Sequence, residues 1–156
     1  MATRATIRIA KREAGVSFNE HNHYTYHTQI YHHYDGYPEH LGVALAEFTS
    51  DIRVVNGIPI KSDNVEYVNG LGDLAAQVLV YLKLGIPYER HEVTPGNVYL
   101  DKHGTERCDL DYIYYVWADE GKDIWISIFD YCDNCLFVGT PEKLINKYKI
   151  NTNNDG

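Results

Sequence analysis

The stretch Leu110-Asp-Tyr-Ile-Tyr-Tyr-Val-Trp-Ala-Asp-Glu-Gly-Lys-Asp-Ile-Trp-Ile-Ser-Ile-Phe129 decides how the chain reads. Two β-branched and aromatic runs, Leu110–Trp117 and Asp123–Phe129, flank Asp119-Glu120-Gly121-Lys122, which has the composition of a hairpin turn. Strand alternation sets Asp111, Ile113, Tyr115 and Trp117 against Leu110, Tyr112, Tyr114 and Val116. In the second run Ile124, Ile126 and Ile128 oppose Trp125 and Phe129. Neither run has a polar face, so the hairpin is expected at the centre of a sheet, covered on both sides.

Working outward, Thr3–Ile9 alternates Thr3, Ala5, Ile7 and Ile9 with Arg4, Thr6 and Arg8, which predicts a half-buried strand with a basic outer face. Tyr24–Tyr34 predicts a second strand, with Tyr24, Tyr26, Thr28, Ile30 and Tyr34 as its core side and His27, Gln29, Tyr31 and His33 opposite. Asp35-Gly36 breaks it, and Pro38 opens a helix to about Ser50 whose stripe is Leu41, Ala44, Leu45 and Phe48. Residues 52–70 read as loop with one or two small strands, Asp73–Leu84 as a buried helix, and Asn97–Leu100 as a short strand. Cys135–Gly139 gives a last strand, and Thr140-Pro141-Glu142 starts a short helix to Tyr148. The expected fold is one α+β domain over residues 1–150. Its largely antiparallel sheet has five or six strands, with two longer helices, a short C-terminal helix and a polar tail at 151–156.

The chain has 156 residues, 44% apolar and 23% charged, enough for one core that needs neither disulfide nor metal to fold. No run approaches the ~20 apolar residues of a membrane span, and the N-terminus has no signal-type apolar segment, so the expected setting is the cytoplasm. A net charge of −8 argues against general nucleic-acid binding, which needs a basic surface. Residues 1–12 depart from that balance, holding Arg4, Arg8, Lys11 and Arg12 without an acid. Fourteen tyrosines are a surplus of rigid, amphipathic rings suited to contact with a ligand or a second protein. On the hairpin 110–130 they suggest a homo-oligomer interface.

Six of the eight histidines lie between His21 and His40. His21 with His23, and His33 with Asp35, have the i, i+2 spacing that puts two ligands on one strand face, with Glu39 or His40 as a third. The same His33 and Asp35 fit a general base with an orienting carboxylate, though no nucleophile accompanies them. The alternative is surface histidines bonded to tyrosine hydroxyls. Cys132-Asp-Asn-Cys135 is half of a zinc or redox motif, which Cys108 and His103 alone can complete; otherwise the three thiols are reduced and unliganded. At Asp35-Gly36-Tyr37-Pro38-Glu39, Gly36 is expected to take a positive φ and the first-turn N–H groups to face outward as an anion site, unless Asp35 and Glu39 occupy them. If the first two strands pair, Arg4 and Arg8 face His27, Tyr31 and His33 and give a basic, aromatic surface suited to a planar anion.

Arg4-Ala-Thr-Ile7, then Tyr31, His33-x-Asp35-Gly36-Tyr37-Pro38-Glu39 before an amphipathic helix, and later Asp111-Tyr-Ile-Tyr114, resemble a group of small uncharacterised proteins of bacteria and their phages. The resemblance spans the first fifty residues and part of the C-terminal hairpin. Tyr34 stands where members of that group often carry Trp, and the histidines at 21–27 are outside the pattern. It implies an α+β fold and a phage or prokaryotic setting, the host cytoplasm if phage-encoded, and it carries no catalytic residue.

The expected function is that of a small cytoplasmic binding protein, an accessory factor that sequesters a polar or nucleotide-derived ligand such as a host defence signal. Tyr31, Tyr34 and Tyr37 would stack or donate hydroxyls, Arg4 and Arg8 would meet negative charge, and His33, Asp35 and Glu39 would bond a base or ribose. Two alternatives stand beside it. One is a phosphodiesterase cutting cyclic nucleotide signals, in which His33 activates water with or without a metal. The other is an inhibitor that occupies a host protein through the aromatic hairpin. No catalytic residue, cofactor or metal is assigned.

Overall fold

The computed structural model describes residues 2–12, 24–57, 65–84, 97–102, 104–105, 109–118 and 123–149. Among the described residues the strands are β1 (Ala5–Arg12), β2 (Tyr24–His32), β3 (Ile52–Val55), β4 (Glu66–Asn69), β5 (Val98–Asp101), β6 (Tyr112–Trp117), β7 (Trp125–Asp130) and β8 (Cys135–Gly139). The α-helices among them are α1 (Val43–Thr49), α2 (Gly70–Leu84) and α3 (Pro141–Tyr148). Six strands form the main sheet in the order β5-β2-β1-β6-β7-β8, and β3 and β4 form a small parallel pair. The tail 151–156 and the hairpin turn 119–122 lie outside the described residues.

The fold is α+β as expected, but the sheet is mixed. β1 runs parallel to β6, with Ile7 beside Tyr114 and Ile9 beside Val116, while the other pairings in the main sheet are antiparallel. A parallel pair needs a long crossover, and here about a hundred residues separate the partners, so no local turn signal announces it. Apart from half-buried Arg8, the stretches Ala5–Ala10 of β1 and Tyr114–Trp117 of β6 are buried on both faces, as a central parallel pair requires.

One face carries the aliphatic core. Ile7, Ile9, Ile30, Val116, Ile126 and Ile128 project from the sheet and pack with Leu41, Leu45, Leu74, Val78, Leu82 and Leu144 of the helical layer. Ile52, Val54 and Val68 of the small sheet join the same core. The other face gathers Ala10, Tyr24, Tyr115, Trp117 and Phe129, with Tyr26, Ile113 and Trp125 beside them.

Tyr24 and Tyr26 therefore lie opposite to the side expected from alternation. The register slips between Ile9 and Ala10, where Ile9 faces Thr28 but Ala10 faces Tyr26. One extra residue in β2 inverts every side chain beyond it. Ile30 stays on the helix side with Ile7, while both tyrosines join Gln29 and Tyr31.

The helix expected from Pro38 begins as one π-helical turn, Pro38–Gly42, that runs into α1. α2 begins at Gly70, three residues before the expected Asp73, because Gly70 takes φ +73° and the Asp73 carboxylate accepts the Asn69 N–H at 2.8 Å. α3 starts where Thr140 and Pro141 predict, the Thr140 hydroxyl accepting from the Lys143 N–H.

Both outer strands are guarded by a lysine from the helical layer. Asn97 turns its carbonyl toward β2, accepting from the His33 N–H at 2.9 Å, so the next carbonyl, that of Val98, points outward. Lys83 of α2 donates to it at 2.9 Å, and Lys147 of α3 donates to the Leu136 carbonyl of β8 at 3.1 Å. Such lysines blunt an edge against pairing with another strand.

Candidate functional site

Three layers of sequence meet at the corner between β2 and the first helix. Gly36 is the anchor: its N–H donates to the Thr3 carbonyl at 3.0 Å, and its own carbonyl accepts the buried Tyr114 hydroxyl at 2.6 Å. A Cβ there would stand 2.7 Å from the Ala5 Cβ and 2.9 Å from the Thr3 oxygen, so close backbone approach requires glycine. The positive φ expected of Gly36 falls instead on Asp35, at +54°, a conformation that Asp tolerates better than most residues. Pro38 has no N–H, and those of His40 and Leu41 donate to the Tyr37 carbonyl, both at 3.0 Å. The turn thus uses internally much of the N–H array expected to face an anion.

The residues expected to form one site divide between the two faces. Tyr31, His33 and Tyr34 gather on the side away from the helices: the Tyr31 hydroxyl lies 2.6 Å from His33 Nδ1, and the Tyr34 ring meets His33 edge-on at 4.6 Å. Tyr99 of β5 adds a ring 5.0 Å from Tyr31. Tyr31 is buried, whereas Tyr34 is 52% and Tyr99 37% exposed, so this four-ring rim has an accessible outer edge. Tyr37 stacks obliquely near His40, and exposed Glu39 acts electrostatically on the Tyr112 and Tyr114 phenols, helping to raise both above the usual range after burial has done most of it. Asp35 makes no hydrogen bond to His33; the Tyr31 hydroxyl takes that place.

The two arginines also part. Arg4 is drawn to the acidic approach of β6: its backbone N–H donates to Asp111 at 2.9 Å, and its guanidinium lies 3.6 Å from Asp109. Arg8 sits in the middle of the aromatic face. In register, Gln29 faces it on β2 and Tyr115 on β6, and Tyr115 in turn faces Ser127 on β7. Arg8 Nε donates to Gln29 Oε1 at 2.8 Å and Nη1 to the Tyr115 hydroxyl at 2.7 Å, with the guanidinium 4.4 Å above the Tyr26 ring. Its charge restrains the rise that burial imposes on the Tyr115 phenol. Among the described residues no carboxylate pairs with Arg8, whose bonded partners are neutral. It faces Gln29 rather than Tyr31, which lies one diagonal step away on the same face, behind Thr6.

Around Arg8 the sheet is tightly organised. Tyr24 reaches across β1 and β6 to stack on Tyr115 at 4.5 Å and to share a 2.7 Å bond with the Ser127 hydroxyl, to which Trp117 Nε1 also donates at 3.0 Å. Gln29 Nε2 donates to the Thr105 carbonyl at 3.2 Å. Tyr24, Tyr26, Gln29, Tyr115 and Ser127 are the neighbours that sequence reasoning left out. The alternation of Arg8 with Ile7 and Ile9 named the face, but only the parallel pairing and the bulge name its occupants.

The hairpin of β6 and β7 is interior to the sheet, and Tyr114, Tyr115, Val116, Trp117, Ser127 and Phe129 are buried by their own chain. Its partly exposed members are Tyr112, Ile113, Trp125 and Asp130. The metal arrangements fare as follows. His21, His23, His103 and Cys108 lie outside the described residues. Among those described, no three His, Cys, Asp or Glu side chains are grouped to hold a metal. Cys132 and Cys135 are free thiols, and burial raises the pKa of Cys135, which sits 3.7 Å from the Phe137 carbonyl.

On the helix side of the corner, His32 is 7% exposed and its Nδ1 has no hydrogen-bond partner. Burial, reinforced by the neighbouring His40 and His33, lowers its pKa to about 4, against weaker opposing effects from the Tyr34 backbone and Asp35. Among the described residues no helix is long and apolar enough to cross a membrane. Comparisons of the chain with protein-family models, with curated proteins and with solved structures returned no match.

Proposed function

We propose that the chain is a small binding protein, an accessory factor of the kind carried by phages, that sequesters a planar, anionic, nucleotide-derived ligand in the cytoplasm. The observation that carries this reading is Arg8. An arginine held on a sheet face by neutral partners, over one tyrosine ring and beside another, keeps its charge available. In a chain of net charge −8, a cation left without a carboxylate among the described residues is what an anionic ligand needs. Tyr31, one diagonal step away, and the His33, Tyr34 and Tyr99 rings beyond it offer ring faces and edges for stacking. Arg4 contributes less to this reading, since Asp109 already meets its charge.

Native mass spectrometry of the purified protein, followed by titration calorimetry with mononucleotides and cyclic dinucleotides, tests the proposal. The expected result is a bound species of a few hundred daltons or a nucleotide that titrates, with binding weakened about tenfold to hundredfold by Arg8→Gln, as fits a charge-assisted contact. Circular dichroism confirms that the variant is folded. Absence of any nucleotide binding, or affinity indifferent to Arg8→Gln, overturns it. Tyr114, Tyr115, Trp117 and Phe129 are buried by their own chain, so a second copy meeting the hairpin would use the partly exposed Tyr112 and Trp125; the mass spectrum reports the copy number directly. A host protein as partner is the second reading, favoured by exposed Tyr34, Tyr99 and Leu100 at the β5 end of the sheet.

A further inference from the structure

The binding reading brings a ligand to His33 but leaves open which ring nitrogen it meets, and with what. We propose that Tyr31 is a positioning residue that fixes the His33 imidazole as an Nε2–H donor, so that this end of the site takes a ligand oxygen, carbonyl or phosphoryl, rather than a proton or a metal ion. This rests on the binding reading for the ligand, and on geometry alone for the imidazole.

The separation between the Tyr31 hydroxyl and His33 Nδ1 is 2.6 Å. Bonds donated by N–H to oxygen fall at about 2.7–3.2 Å, while a hydroxyl donor holds its acceptor closer, down to about 2.5 Å when that acceptor is oxygen. At 2.6 Å the contact is shorter than an imidazole N–H donating to the phenol oxygen would make it, and this points to the phenol as donor. A neutral imidazole has one protonated and one bare nitrogen, and when Nδ1 accepts, Nε2 carries the hydrogen. That nitrogen can neither take up a proton nor bind a metal without first surrendering its own. The general-base and metal-ligand roles that the spacing of His33 and Asp35 suggests are disfavoured together, and hydrogen-bond donation to an oxygen acceptor is what remains.

The imidazole is held for that task. The His33 N–H is tied to the Asn97 carbonyl at 2.9 Å, the Tyr34 ring meets it edge-on at 4.6 Å, and Tyr31 is locked between Thr6 on β1 and Tyr99 on β5. His33 itself is partly exposed, so Nε2–H can be offered outward. Tyr31 lies diagonally from Arg8 across neighbouring strands, a backbone step of roughly 7–8 Å. His33 itself stands four residues beyond Gln29, the partner of Arg8, about 13 Å of extended chain, so a ligand that answers both carries its oxygen acceptor and its negative charge at opposite ends, as a nucleoside phosphate does.

The test is a long-range proton–nitrogen correlation spectrum of histidine-labelled protein at pH 8, without ligand, His33 being assigned by the signals lost in His33→Gln. A bare, pyridine-like Nδ1 and a protonated, pyrrole-like Nε2 are expected. In Tyr31→Phe the two nitrogen shifts should move toward each other as the tautomers mix. Adding Zn²⁺ alone should leave the His33 signals in place. A protonated Nδ1 in the unaltered protein, a Tyr31→Phe spectrum identical to it, or a Zn²⁺-dependent shift at His33 Nε2 overturns the proposal. These outcomes involve no nucleotide, so they fail separately from the binding reading, which calorimetry decides.

Discussion

Acidification should weaken this fold through His32. In the folded chain this histidine is buried and its pKa is lowered from 6.5 to about 4. The unfolded chain presents an ordinary imidazole, so between those two values the unfolded state binds more protons and stability rises with pH. Above about pH 6.5 both states are neutral at this residue and the full stability is present. As pH falls the cost accrues at about 1.4 kcal/mol per unit and saturates near the folded pKa. The whole shift is worth about 3 kcal/mol, a large share of a typical domain's stability of about 5–15 kcal/mol. Urea unfolding at pH 7, 6, 5 and 4.5 reads this directly. Because carboxylates also titrate over the range, the diagnostic quantity is the difference between the native chain and His32→Gln, whose profile should lose about 1 kcal/mol per pH unit of slope. Two parallel profiles, or a histidine nitrogen signal showing that His32 titrates near 6.5 in the folded protein, would refute the reasoning.

Three further outcomes follow from the corner and the edges. Tyr114→Phe deprives the buried Gly36 carbonyl of its 2.6 Å donor and should cost about 1–3 kcal/mol, seen as a lower Tm without change of fold. Gly36→Ala forces a Cβ against Ala5 and the Thr3 oxygen and should lower the urea midpoint, about 1–3 kcal/mol of overpacking. Gly72→Ala, with open space around its Cβ in the first turn of α2, should be neutral or slightly stabilising; equal losses at both glycines would count against the close-approach argument. Lys83→Met uncovers the outward Val98 carbonyl on β5, and sedimentation velocity should then show concentration-dependent association that the native chain lacks at the same concentrations; identical profiles would mean that the lysine does not guard the edge.

Much of the candidate site was visible as residue type and little of it as grouping. Tyr31 and His33 come together because i, i+2 neighbours in extended chain leave on one side, a local rule that the sequence displays, whereas alternation set Tyr34 on the core side and the structure leaves it exposed against the His33 ring. Arg4 and Arg8 also alternate on one side of β1, but their partners are chosen by strands distant in sequence, Asp109 and Asp111 before β6 for one, and Gln29, Tyr26 and Tyr115 for the other. Gly36 was legible as special and not as to why, since positive φ and lack of space both demand glycine and only the neighbouring Ala5 decides between them.

Local patterning by itself determined the element types: hydrophobic period, the Thr140-Pro141 cap and the aromatic hairpin placed strands and helices close to where they lie, because each rests on contacts a few residues apart. The tertiary structure alone decided that β1 lies parallel to β6, that one bulge turns Tyr24 and Tyr26 onto the far face, and that Tyr114, Tyr115, Trp117 and Phe129 of the hairpin pack within the chain. The physical reason is common to all three. The parallel pairing is settled by the fit of side chains about a hundred residues apart and the register slip by the fit of β1 against β2, and a one-residue slip, invisible in composition or periodicity, reverses which rings surround Arg8.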